Sequence, residues 1–187
     1  TPQPRLPHGA PALLLLLTAL ASALACQHLR PRDTTFPWHG LRLLQHMAPS
    51  PPQTCHHQHA PFPFPDTLLH ASHPQQADAT ALRILQHLFD TLSGPNTPQH
   101  WDATARRQLL SGLHHRIQQL QQCPPANPTL SQGQGPRNLL LGIEKYFGRI
   151  RDFLRTHNHS ACAWDHVCLE ARLCFQRLHN LTRSTPN

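Results

Sequence analysis

Residues 160–181 read SACAWDHVCLEARLCFQRLHNL, and their apolar positions recur with the period of a helix. At about 100° per residue, Trp164, Val167, Ala171, Cys174, Leu178 and Leu181 gather on one side. This predicts a helix from Ser160 to about Leu181 with that side in a core. Leu169, Arg172, Leu173 and Gln176 lie roughly opposite. A single exposed leucine carries no meaning, but two at i, i+4 beside an arginine point to a docking patch. Cys168 and Cys174 would lie about 9 Å apart along this helix and about 240° apart around it, so they cannot bridge each other. Cys174 points to the core and behaves as a small hydrophobe. Cys168 falls at the margin, where it is either half-buried or a reactive thiol.

Four earlier segments carry the same period. The first begins near Pro37, with Leu41, Leu44 and Met47 on one face, and stops before Pro49. The second opens on Ser72-x-x-Gln75, a capping-box pattern, and runs through Leu82, Leu85, Leu88, Phe89 and Leu92 to Ser93-Gly94-Pro95. The third is expected from Thr97-Pro98, with Trp101, Ala105, Leu109, Leu113, Ile117 and Leu120 as its apolar face, and closes at Cys123-Pro124-Pro125. The fourth opens at Pro136 and carries Leu139, Ile143, Phe147, Ile150 and Leu154. Gly142 and Gly148 should each weaken it by roughly 1 kcal/mol relative to Ala. No strand-like alternation of useful length occurs, so the expected fold is all-α.

The first connection is the long one. Pro49 to Pro74 contains seven prolines, too many for a regular element, although Phe62 and Phe64 predict that part of it packs inward. Cysteines at Cys26, Cys55, Cys123 and Cys162 punctuate the segments. A helical chain of this size with such cysteines reads as a disulfide-stapled bundle with one long crossover. Such bundles work by presenting helix faces and not by catalysis.

The first 25 residues have the form of an export signal. Arg5 is followed by an apolar stretch from Ala12 to Ala25, and Ala23-Leu24-Ala25 supplies the small residues of a cleavage site. Fourteen residues are too few for the roughly 20 that a membrane span needs. The mature domain expected is therefore 26–187: secreted, extracellular and not inserted in a membrane. Its six cysteines fit an oxidising compartment.

The formal charge is +7 at pH 7, from 16 Lys and Arg against 9 Asp and Glu. The arginines stand singly, with only Arg106-Arg107 adjacent, and no nucleic-acid motif is present. No nucleic-acid partner is expected; weak attraction to anionic glycans or to an acidic receptor surface is. A phosphate loop, a nucleophile elbow and a zinc-protease motif are all missing, so neither an enzyme nor a bound cofactor is expected. Seventeen histidines include His56, His57, His59, His114 and His115, but none has a ligand spacing with paired cysteines, so no metal is expected. A basic secreted enzyme, such as a small ribonuclease, is the contrasting possibility; the single lysine, Lys145, and the helical pattern speak against it. Two N-glycosylation sequons are present, at Asn158-His159-Ser160 and Asn180-Leu181-Thr182.

Cys162-Ala163-Trp164-Asp165-His166-Val167, with Glu170 and Phe175 downstream, resembles the C-A-W-[DE]-x-V signature of the type I interferons. Trp101-Asp102 stands 22 residues before Cys123, Phe62-x-Phe64-Pro65 follows Cys55, and Lys145-Tyr146-Phe147 with Arg149-Ile150 is similar to the family's fourth helix. The segments His28-Leu29-Arg30, Ile84-Leu85-Gln86-His87-Leu88-Phe89, Thr97-Pro98-x-His100-Trp101 and Gly135-Pro136-Arg137-Asn138-Leu139 resemble avian members of the alpha/beta kind. The resemblance implies a five-helix cytokine bundle, up-up-down-down with a long crossover after the first helix, and disulfides Cys26–Cys123 and Cys55–Cys162. It also implies a secreted antiviral cytokine that joins two class II cytokine receptor chains and starts Janus kinase and STAT signalling; the alternatives are another secreted helical-bundle cytokine and, further off, a basic secreted enzyme or glycan-binding protein. The high-affinity chain would meet His56 and His59 in the long loop and Cys168, Leu169, Arg172, Leu173 and Gln176 on the last helix. The lower-affinity chain would meet His114 and Lys145. Three positions depart from the family pattern: His59 and Cys168 replace arginines, and Glu144 replaces a basic residue.

Overall fold

The computed structural model describes residues 35–48, 62–65, 74–122 and 136–183, and among these the only regular elements are five helices. They are α1 (Phe36–Met47), α2 (Pro74–Ser93), α3 (Ala103–Gln122), α4 (Pro136–Thr156) and α5 (Ala161–Arg183). The chain divides into two compact units, Thr1–Asp33 and Thr34–Asn187, and every described residue belongs to the second. The export-signal segment and Ser72 of the expected capping box lie outside the described residues.

Each helix starts and stops for a local reason. Pro37 sits in the first turn of α1, where its missing N–H costs nothing. The α3 helix begins at Ala103 and not near Thr97: the chain from Pro98 to Trp101 makes a turn, with Trp101 N–H donating to the Pro98 carbonyl at 3.3 Å. Asp102 is the N-cap, its Oδ1 accepting the Ala105 N–H at 2.6 Å. Ser160 does the same for α5, accepting the Ala163 N–H on Oγ at 3.3 Å. Between α4 and α5, Asn158 and His159 take positive φ (48° and 51°), and the His159 N–H returns to the Leu154 carbonyl at 2.8 Å.

The apolar stripes converge on one core. α1 packs against α3 and α5, α2 against α3, α4 and α5, and α4 also meets α5. All six core positions expected on α5 are buried, as are Leu41, Leu44 and Met47 on α1. The buried stripe of α2 is rotated from the expected one: Ile84, Ala77 and Ala81 are buried, whereas Leu82 and Phe89 are only half-buried. Tyr146 and Phe153 join Ile143, Phe147, Ile150 and Leu154 in the core face of α4. Across the α2–α4 contact, Glu144 pairs with Arg83 and lies 3.2 Å from His87 Nε2, while His87 stacks on Phe147. Burial pushes the His87 pKa below the ordinary imidazole value.

The long connection does fold inward. Phe62 meets Phe153 edge-on at 5.3 Å and Phe64 meets Tyr146 at 5.0 Å, with the Arg177 guanidinium 4.0 Å over the Phe64 ring. Pro65 then rests on α4 at Gly142, where an added Cβ would come within 3.2 Å of the proline ring. That close approach is why a poor helix former sits mid-helix. Gly40 has a stronger reason, since a Cβ there would overlap the ring of Phe175, which is itself only 1% exposed.

These two environments make opposite expectations for Gly→Ala. Gly40→Ala should destabilise by about 1–3 kcal/mol, because the added methyl would have to displace the buried Phe175 ring. Gly148→Ala should instead stabilise by about 0.5–1 kcal/mol, since its Cβ would meet nothing closer than 3.9 Å and the backbone is already helical. Thermal melts of the two variants beside the parent check this; equal shifts in one direction would contradict the packing described.

Candidate functional site

The outer side of α5 is the strongest candidate. Leu169 and Leu173 are 41% and 40% exposed, one turn apart, with Gln176 exposed one turn further on. Among the described residues, neither leucine belongs to the core cluster. α1 extends this face, because Trp38 is 50% exposed and its ring lies 5.0 Å from that of His179. Pro37, Trp38, Leu41, Gln176, His179 and Arg183 border a groove of about 350 Å³ between the two helices. Trp38 escaped the sequence reading, although a tryptophan outside the Leu41–Leu44–Met47 stripe was the available signal.

Two residues grouped with this face do not belong to it in the expected way. Cys168 is buried (3% exposed), neither a surface contact nor a reactive thiol. Burial pushes its thiol up to about 12. Arg172 is half-buried, and its guanidinium donates to the Ala48 carbonyl at 2.8 Å. It thus caps the C-terminal end of α1 from a neighbouring helix, where a cation also meets the negative end of the helix dipole. Asp165, buried nearby on α5, has its carboxyl pushed up by burial against the opposing pull of His100, His166 and Arg172.

The remaining candidates are spread around the bundle. His56 and His59 lie outside the described residues, as do Cys26, Cys55 and Cys123. Cys162 is disulfide-bonded, whereas Cys168 and Cys174 are free and buried. His114 on α3 is exposed with its ring 5.9 Å from Phe89, and Lys145 on α4 is exposed. Leu141, one turn before Lys145, is 53% exposed and marks a second apolar spot that the sequence reading missed. Asn158 and Asn180 are both exposed. Among the described residues, no three His, Cys, Asp or Glu gather as a metal site, and no helix is long and apolar enough to cross a membrane.

Residues 29–185 match the interferon alpha/beta domain. The chain belongs to the interferon alpha/beta family. It is 52% identical to interferon type B of Gallus gallus over 90% of this chain and 83% of that protein. It is 47% identical to the interferon of Meleagris gallopavo over 99% and 96%. Interferon alpha-A of Bos taurus is 31% identical over 92% and 93%, which sets the chain with the avian members. In fold it is similar to zebrafish interferon 2 (TM-score 0.69, 17% identity, 79% of this chain and 97% of that one). As a type I interferon the chain is a cytokine and not an enzyme.

The interferon signature proves to be structural. Trp164 is 2% exposed and its indole N–H donates to the Asn96 carbonyl at 2.7 Å; Ala163 and Val167 are buried beside it. Glu170 accepts the Tyr146 hydroxyl at 2.6 Å, and Tyr146 also lies 3.5 Å from Cys174 Sγ. Burial drives the Tyr146 hydroxyl well above its ordinary range and pushes the Cys174 thiol up to about 12. The signature positions the outer face of the interferon without forming part of it.

Leu169→Ala and Leu173→Ala should therefore leave stability within about 0.5 kcal/mol of the parent. Arg172→Ala should cost roughly 1–3 kcal/mol, because it leaves the Ala48 carbonyl without its charged donor. Trp164→Ala sets the scale of a core loss at roughly 3–5 kcal/mol. Chemical denaturation of the four variants orders them; an Arg172→Ala curve lying with the leucine variants would remove its structural role.

Proposed function

We propose that this interferon is a secreted antiviral cytokine that acts by holding two class II cytokine receptor chains together, so that their Janus kinases activate STAT proteins. No bond is made or broken by the cytokine in this reading; its contribution is to fix the spacing of two partners. The observation that carries it is the outer face of α5, where Leu169 and Leu173 stand in water on a rigid helix, extended by Trp38 from α1. Exposed aromatic and aliphatic anchors on rigid elements are what a protein contact buries at its centre. The high-affinity chain is assigned to this face together with Gln176 and, in the long connection, His56 and His59. Arg172 would contribute there through its position at the end of α1.

The second chain is assigned to the α3–α4 side, around His114, Lys145 and the exposed Leu141. Residues 1–25 act as the cleaved export signal, with 26–187 the mature cytokine. The net positive charge favours loose association with anionic glycans outside the cell.

The test pairs an interferon-response reporter in avian cells with binding to a purified high-affinity receptor chain. The parent should activate the reporter, and Leu173→Ala should lose about thirtyfold in affinity, roughly 2 kcal/mol. A silent reporter in responsive cells would refute the function, and parental affinity in Leu173→Ala would refute the face.

The disulfides proposed with this reading are Cys26–Cys123 and Cys55–Cys162. Each closes a loop of about 100 residues and would stabilise by roughly 4–5 kcal/mol on the chain-entropy argument. Peptide mapping without reduction should recover both pairs; Cys162 joined to Cys26 or Cys123 would overturn them.

A further inference from the structure

The sequon Asn180-Leu181-Thr182 falls in the last turns of α5, and its position on the helix is unusual. Leu169, Leu173, Gln176 and Asn180 follow one another at i, i+4, i+7 and i+11, so Asn180 stands on the same outward stripe as the docking leucines. Its backbone is held by the helix, Leu181 beside it is 1% exposed, and Asn180 itself is exposed. Asn180 also lines the groove of about 350 Å³ between α1 and α5, which lies at the low end of the roughly 300–1,000 Å³ of small-ligand sites.

The groove has the chemistry of a sugar seat. Trp38 offers an aromatic ring, half in water, for the apolar face of a pyranose. Gln176, His179 and Arg183 border the same space with polar groups for hydroxyl and amide contacts. A glycan attached to Asn180 starts inside this groove, so it is tethered where it would bind and its effective concentration there is high. We propose that an N-linked glycan on Asn180 packs in the α1–α5 groove against Trp38 and covers the C-terminal end of the outer face. The reading of that face as a receptor contact is a separate step, and only the last part of the test rests on it.

N-linked glycans are added during export, so the experiment begins with protein secreted from vertebrate cells. Glycopeptide mass spectrometry should find Asn180 occupied, and should find it bare in Asn180→Gln and in Thr182→Ala. Trp101 and Trp164 are buried at 5% and 2%, so collisional quenching of tryptophan fluorescence by acrylamide reports Trp38. Removing the Asn180 glycan by either substitution should raise the quenching constant about twofold, since it uncovers the exposed ring. Asn158→Gln, whose glycan would sit in the α4–α5 turn, should leave quenching unchanged. An unoccupied Asn180, or equal quenching with and without its glycan, overturns the proposal. If quenching rises and receptor binding tightens about threefold, the glycan and the receptor share the face. If quenching rises and binding does not change, the glycan seat stands and the receptor contact ends before Asn180.

Discussion

The buried indole of Trp164 needs an acceptor, and meeting that need fixes one end of the bundle. Its N–H donates to the Asn96 carbonyl in the α2–α3 connection, and Trp101 meets its ring edge-on at 5.2 Å. The residue after Trp101 then returns to α1, with Asp102 N–H donating to the Met47 carbonyl at 3.1 Å. Arg172 holds the next carbonyl, Ala48, and Arg106 donates to the Leu92 and Gly94 carbonyls at the end of α2. The C-terminal carbonyls of two helices, α1 and α2, are thus satisfied by donors from α5 and from the start of α3. Each such group left buried and unpaired would cost free energy comparable to a lost hydrogen bond. The arginines that looked like scattered surface charge are in part internal caps.

A second set of ties runs along α4 and depends on ring contacts. Phe62 and Phe64 bring the proline-rich connection onto α4 and α5, and Pro65 takes space that Gly142 leaves open. A helix interior is a poor place for glycine on propensity alone. Here the loss is local and the gain is a loop pinned beside Tyr146, which in turn bonds Glu170 of α5. The crossover becomes part of the core over these residues.

Periodicity was enough to find every described helix and the buried side of α5, because a 3.6-residue repeat is a property of one helix alone. It placed Leu169, Leu173 and Gln176 outward correctly for the same reason. It could not place Cys168, since the angle of a residue around its own helix does not say which flank a neighbour covers. Cys168 is buried, at 3% exposed. The start of α3 was set too early because Trp101 continues the apolar register, although its burial comes from a turn packed on Trp164. Trp38 and Leu141 were missed because exposure depends on neighbours that one helix's pattern does not contain.

The division of α5 into a fixing side and an outward side has a consequence for how such a cytokine can vary. Trp164, Glu170, Cys174 and Phe175 are constrained by specific partners, so substitution there disturbs the fold. Leu169, Leu173 and Gln176 touch none of those partners, and their chemistry is free to follow whatever surface they meet. Arg172 belongs to both groups, since it caps α1 and borders the outward stripe. A lysine there would keep the charge but lose the planar fork that lets a guanidinium reach the Ala48 carbonyl and still offer donors outward. Position 172 is therefore where a change in partner preference and a change in stability cannot be separated.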